Sequence, residues 1–204
     1  RDALELLHRQ YTDHPMDAEV LHELAQFHYG LQTGNKGKNA QTAVDLCEDA
    51  LRRHPGTYGA ALCKNLLEGI RARSLHITLE DVSLPQKNIA VLVQFRNIEK
   101  VHIRVVKSRY DPEFFNRVQW DKQLETILAL PVVQRGERNT ANPGDYQDHT
   151  TEIPLDGLPI GHYWVIVSEN ESFDSKKGNV AYTFFEVSNL AVVEYKEFSG
   201  QTYA

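Results

Sequence analysis

The sequence predicts an α+β chain in two separate parts, N-terminal helical hairpin repeats followed by an antiparallel β-sandwich. Three observations carry this expectation. The hydrophobic period changes from 3.6 to 2 near Leu75. Beyond that point, turn-forming clusters punctuate short alternating runs. Before it, the chain repeats itself at an offset of 40 residues, Ala3 to Ala43.

Residues 1–74 read as four helices, the first of them truncated. Val20, Leu21, Leu24, Phe27, His28 and Leu31 fall on one helical face, and Ala40, Ala43, Val44, Cys47, Ala50 and Leu51 repeat that spacing. Tyr58, Leu62, Leu66 and Ile70 step by four, an apolar stripe expected to be buried. Breaks fall at His14-Pro15, at Gly34-Asn35-Lys36-Gly37 and at His54-Pro55-Gly56, where Thr57 can cap the next helix. The repeat aligns Ala3-Leu4 with Ala43-Val44 and His14-Pro15 with His54-Pro55, so two copies of a helix–turn–helix unit follow each other. These hairpins resemble tetratricopeptide-type repeats.

The helix-to-strand change is expected within residues 72–78. Leu75, Ile77 and Leu79 then alternate with polar residues, as do Ile89, Val91, Val93 and Phe95, and Val101, Ile103 and Val105. Later runs are Thr150–Leu155, His162–Ser168, Val180–Val187 and Leu190–Tyr195. Residues 75–188 are expected to form one seven-strand, immunoglobulin-like sandwich with an inserted helix near residues 113–130. Its core is expected to draw on Leu75, Ile77, Val91, Val93, Ile103, Tyr163, Val165, Val167, Phe184 and Val187. Residues 189–204 would open a following, truncated β domain, and Leu190–Tyr195 would then be an edge prone to pairing with another chain.

Lys and Arg number 22 against 28 Asp and Glu, a net charge of −6, and no basic patch stands out. Phosphate-backbone binding therefore has no electrostatic support, and nucleic acid is not an expected partner. No apolar run approaches the roughly 18–20 residues that span a bilayer, so membrane insertion is not expected. The opening Arg1-Asp2-Ala3-Leu4 already reads as helix interior, as in a piece of something longer.

A family resemblance rests on four segments taken in order. They are Leu128-Ala129-Leu130-Pro131-Val132-Val133, Asp145–Ile153, Leu158-Pro159-Ile160-Gly161-His162-Tyr163, and Ala181–Leu190 with its Tyr182-Thr183-Phe184-Phe185-Glu186-Val187-Ser188-Asn189 exit. Together they resemble an early macroglobulin domain of bacterial alpha-2-macroglobulin-like proteins, over residues 75–204 and only loosely over the helical part. The resemblance implies a macroglobulin-type sandwich in the cell envelope, periplasmic or outer-membrane-anchored. It implies a non-catalytic structural and interaction module of a protease trap. Its partners would be the neighbouring macroglobulin domains of the same parent chain, with proteases as indirect targets. The alternative is an envelope peptide- or glycan-binding module of an adhesin or uptake system.

Enzyme chemistry finds no foothold, and no catalytic, cofactor or metal residue is assigned. His22-Glu23-Leu24-Ala25-Gln26 lacks the second His of a zincin helix, and His28 lies about 240° around the helix from His22. No P-loop, nucleophile elbow or dinucleotide fingerprint occurs. The thioester motif Cys-x-Glu-Gln of covalent protease traps is matched by neither Cys47-Glu48-Asp49-Ala50 nor Cys63-Lys64-Asn65-Leu66. Cys47 and Cys63 lie eight residues on either side of Pro55 (47, 55, 63). An antiparallel hairpin brings such positions level, so both are expected in its buried interface, in simple contact or as a disulfide.

Overall fold

The computed structural model describes residues 1–31 and 35–190. Four helices come first: α1 (Asp2–Gln10), α2 (Asp17–Gly30), α3 (Lys36–Arg53) and α4 (Tyr58–Arg71). The caps follow the chemistry of the breaks. Asn35 accepts from the Lys38 amide at 3.0 Å and Thr57 from the Ala60 amide at 3.2 Å, each satisfying an orphan donor of a first turn. α2 packs against α1, α3 and α4, and Gly59 sets its distance from α4. A Cβ on Gly59 would stand 2.3 Å from the Glu19 nitrogen, so only glycine allows this approach.

That close approach rotates α4 away from the expected register. The buried line is Gly59, Ala60, Cys63, Leu67 and Ile70, whereas Tyr58 is 70% exposed. Of the Tyr58, Leu62, Leu66 and Ile70 stripe, Ile70 is fully buried and Leu66 packs partly on the helical core, whereas Tyr58 turns outward. The two helices that the 40-residue offset aligns, α1 and α3, are also unequal. α3 buries Ala40, Ala43, Val44, Cys47 and Ala50, while none of the residues of α1 is buried.

Eight strands follow among the described residues: β1 (Ser74–Thr78), β2 (Val82–Ser83), β3 (Ile89–Arg96), β4 (Lys100–Ser108), β5 (Val132–Asn139), β6 (His149–Leu155), β7 (Gly161–Ser168) and β8 (Val180–Val187). Helices α5 (Phe114–Arg117) and α6 (Trp120–Leu128) lie between β4 and β5, inside the expected helical interval. The strands form two sheets, ordered β1-β3-β6 and β2-β8-β7-β4-β5. Their inner faces share one core, with Ile77, Val91, Val93 and Phe95 from the first sheet and Ile103, Val105, Tyr163, Val165, Val167 and Phe185 from the second.

Two expectations need correction. Phe184 does not supply this core; Phe185 does, because it lies two residues from the buried Val187 and side chains alternate along a strand. Phe184 points to the opposite face, against Trp164 at a ring separation of 5.4 Å. The strand count also differs. Among the described residues eight strands stand where seven are expected, and neither the two-residue β2 nor β5 is among the expected runs; Val132–Asn139 is an edge strand, exposed from Arg135 onward, whose sequence has no reason to alternate. The run Leu190–Tyr195 extends beyond the described residues.

β7 is buried on both faces. Tyr163, Val165 and Val167 face the sandwich, while Trp164 and Ile166 join Val106, Phe114 and Ile127 in a second cluster under α6. At the entrance to β7, the Tyr163 hydroxyl donates to the Pro159 carbonyl at 2.9 Å. This is a tyrosine corner, and with the strand order it makes the sandwich immunoglobulin-like. Tyr163→Phe keeps the ring and loses that bond. It is expected to cost about 1 kcal/mol, read in urea unfolding as a lower midpoint at unchanged slope.

Helices and sheets meet through backbone carbonyls. The Asn97 amide donates to the carbonyls of Ile70 and Ala72, both at 3.0 Å, and so closes the C-terminal end of α4. Asn179 donates to the Arg73 carbonyl at 3.3 Å, and Tyr146 packs on the helical cluster.

Candidate functional site

Among the described residues, three surfaces stand out as able to hold a partner. The first is a groove of about 630 Å³ walled by Leu4 and Leu7 of α1, Tyr11 just beyond its end, Val20 of α2, and Tyr58 and Leu62 of α4. It exists because the Gly59 contact turns the Tyr58–Leu62 stripe outward and because α1 leaves its apolar residues uncovered. Tyr11 is 57% exposed and Met16, on the rim, 59%. Residue periodicity announced these side chains as apolar, but it could not say which stripe of α4 would be covered.

The second surface lies at one end of the sandwich. Leu84 and Ile160, 61% and 60% exposed, sit on two loops joined by the Gln86 amide donating to the Leu158 carbonyl at 3.0 Å. Gly157 permits that junction, since a Cβ there would stand 2.4 Å from the Gln86 carbonyl carbon. A trough of about 590 Å³ runs from Leu84 along Leu79, Ala90 and Leu92 on the outer face of the three-stranded sheet. The third surface, a small cleft of about 250 Å³ at β4 and β5, contains Arg104, Arg135 and Phe173.

Among the described residues, no group of three or more His, Cys, Asp or Glu side chains is placed to hold a metal ion. His22 is buried, its Nδ1 3.5 Å from a Glu23 oxygen, and His28 packs edge-on to Phe27. Asn170, Glu171 and Ser172, which match a glycosylation triplet, form a turn. Asn170 Oδ1 accepts from the Asp174 amide at 3.0 Å and from the Ser172 hydroxyl at 2.7 Å. No helix among the described residues is long and apolar enough to cross a membrane.

Cys47 and Cys63 both lie in the buried interface that the hairpin register points to, and of the two states left open, contact or disulfide, they are free thiols. They hydrogen-bond to each other, and Cys63 Sγ lies 4.0 Å from the Ala18 carbonyl. The hydrogen bond to Cys63, then burial, and the charge of a Cys63 thiolate all push the Cys47 thiol far up. A thiol that stays protonated is a poor nucleophile. Native protein at mildly alkaline pH is therefore expected to leave Cys47 unmodified by a disulfide reagent, and unfolded, unreduced protein to titrate two thiols.

No protein-family model matches the chain. A stretch of 95 residues is 30% identical to the calmodulin-binding transcription activator CBT of Oryza sativa subsp. japonica, covering 46% of this chain and 10% of that protein. The chain thus spans about a tenth of the length of that relative. Among solved structures, it is similar to a CARDB domain from Pyrococcus furiosus (12% identity, TM-score 0.34, covering 57% of this chain and 88% of that one). It is also similar to the sporulation control protein Spo0M of Bacillus subtilis (11% identity, TM-score 0.30, covering 57% and 48%).

Proposed function

We propose that the chain is a non-catalytic structural and interaction module of a bacterial alpha-2-macroglobulin-like protease trap in the cell envelope. In this reading the sandwich is a macroglobulin-type domain, the helices are tetratricopeptide-like hairpin repeats forming a domain of their own, and both stack against neighbouring domains of a parent chain. The observation that carries it is the joint role of the two most distinctive sequence segments. Leu158 and Tyr163 of the Leu-Pro-x-Gly-x-Tyr entry, and Phe185 and Val187 of the exit, meet in one core. The exposed Leu84 and Ile160, on two loops joined by the Gln86–Leu158 hydrogen bond at one end of the sandwich, support domain stacking, because a neighbouring domain would cover them.

Capture is the experiment. An endoprotease mixed with the full parent polypeptide is expected to keep its activity on a small chromogenic peptide and lose it on a protein substrate, because enclosure excludes only large substrates. A protease that continues to digest the protein substrate overturns the reading.

The groove of α1, α2 and α4 favours a second reading, an envelope peptide- or glycan-binding module. Tyr11 and Tyr58 present amphipathic rings on a concave wall, the usual means of gripping peptides and sugars. Under that reading, Tyr11→Ser with Tyr58→Ser abolishes ligand binding and leaves protease capture intact.

A further inference from the structure

The cleft at β4 and β5 holds an electrostatic arrangement that the chain itself leaves incomplete. Arg104 and Arg135 are direct cross-strand partners in the antiparallel β4–β5 pair. Like charges placed opposite each other destabilise a sheet, yet among the described residues neither guanidinium makes an ion pair or a hydrogen bond. Arg104 is half-buried, and burial together with the Arg135 charge pulls its pKa down.

The position of Arg104 is also fixed. Its guanidinium stacks 4.2 Å from the centroid of the Phe173 ring. Phe173 is buried and held at φ +56°, a left-handed conformation unfavourable for a phenylalanine. The Asn170 turn imposes it, with the Phe173 amide donating to the Asn170 carbonyl at 3.1 Å. A strained residue thus forms the floor under an unpaired, immobilised cation.

We propose that this cleft docks a single carboxylate side chain carried on an extended segment of another polypeptide, which adds to the edge of β5. Two guanidiniums side by side offer the donors that a carboxylate accepts. Glu171 and Glu137 line the same cleft, Glu137 being already paired with Lys100 at 2.7 Å, so the two guanidiniums and Glu171 leave about one net positive charge, which suits one carboxylate better than a phosphate dianion. β5 is the terminal strand of its sheet, with no strand on its far side among the described residues. An added strand hydrogen-bonds there and turns every second side chain toward the face that carries Arg135. This inference does not rest on the protease-trap reading.

The probe is a fluorescently labelled octapeptide of alternating threonine and glutamate, followed by anisotropy, with a threonine–glutamine version as control. Saturable binding is expected for the first, weaker by about tenfold or more for the second. Arg104→Gln and Arg135→Gln should each weaken binding about tenfold. Arg135→Gln should also melt no lower than the parent, because it relieves repulsion. Where Arg104→Gln does not fold, Arg104→Lys keeps the charge and loses the two-pronged donor geometry, and a smaller loss is expected.

Equal binding of the glutamine peptide, or unchanged binding by both arginine variants, overturns the proposal. Free acetate binding as tightly as the peptide overturns strand addition. Inorganic phosphate displacing the peptide where acetate does not overturns the carboxylate assignment.

Discussion

Val165→Asp is expected to yield no cooperatively folded sandwich. Val165 is fully buried at the middle of β7, between the two sheets, with Val105 and Thr183 as its cross-strand partners. An aspartate there has no cation within the core to pair with, since the shared cluster is entirely apolar apart from the Tyr163 hydroxyl, which is already engaged. Burying an unpaired charge costs more than about 4 kcal/mol. A domain's whole stability is only roughly 5–15 kcal/mol. The variant should therefore be insoluble or lack a sigmoidal urea transition. Val133→Asp supplies the control. Val133 sits on edge strand β5 and is 42% exposed, so the same chemical change should cost about 1 kcal/mol or less. If Val165→Asp melts like Val133→Asp, the two-sheet core is misassigned.

The contrast between those positions also explains how far the sequence could be read. Residues buried on one face alternate, and the alternation of Val91, Val93 and Phe95 gave β3 with its correct inner face. In β7 both faces are covered, so Tyr163–Val167 is a continuous apolar run. Its outer face becomes interpretable only when α6 is seen to lie over Trp164 and Ile166. β5 has the opposite difficulty, because an edge strand with little to bury carries little pattern. Phe184 and Phe185 show the limit of composition: two identical neighbours face opposite sides, and only the register with Val187 distinguishes them. The candidate surfaces were less legible still. The helical groove depends on Gly59, whose role is to be small, and the arginine cleft on a cross-strand register that joins residues 104 and 135. Neither is a local signal. The cysteine pairing was legible because a hairpin with a turn at a known residue fixes its own register.

Asp17 carries the second large effect. It opens α2, its side chain is wholly buried, and three basic groups converge on it from two other helices and their ends. His8 Nδ1 of α1 lies 2.9 Å from Oδ1, Arg53 Nη2 of α3 lies 3.6 Å from Oδ2, and His54 Nε2 stands 3.5 Å from the same oxygen. Only the His8 contact is short enough for a strong hydrogen bond. Arg53 is also held by Asp49 at 3.0 Å and by the Thr12 hydroxyl at 2.7 Å. Asp17 therefore ties α1, which buries little of its own, to the α2–α3 pair. The carboxylate also lies at the positive end of the α2 dipole. Asp17→Asn keeps the shape but removes the wholly buried negative charge on which His8, Arg53 and His54 converge, and losing hydrogen bonding to a charged group costs about 1.5–3 kcal/mol. The loss should appear as a lower urea midpoint and as faster amide exchange in α1. Asp49→Asn removes a carboxylate from the same arginine at a more accessible position, where such pairs contribute about 1 kcal/mol or less. Equal losses from the two variants would mean that Arg53 needs only one nearby negative charge, and that Asp17 holds no special place between the helices.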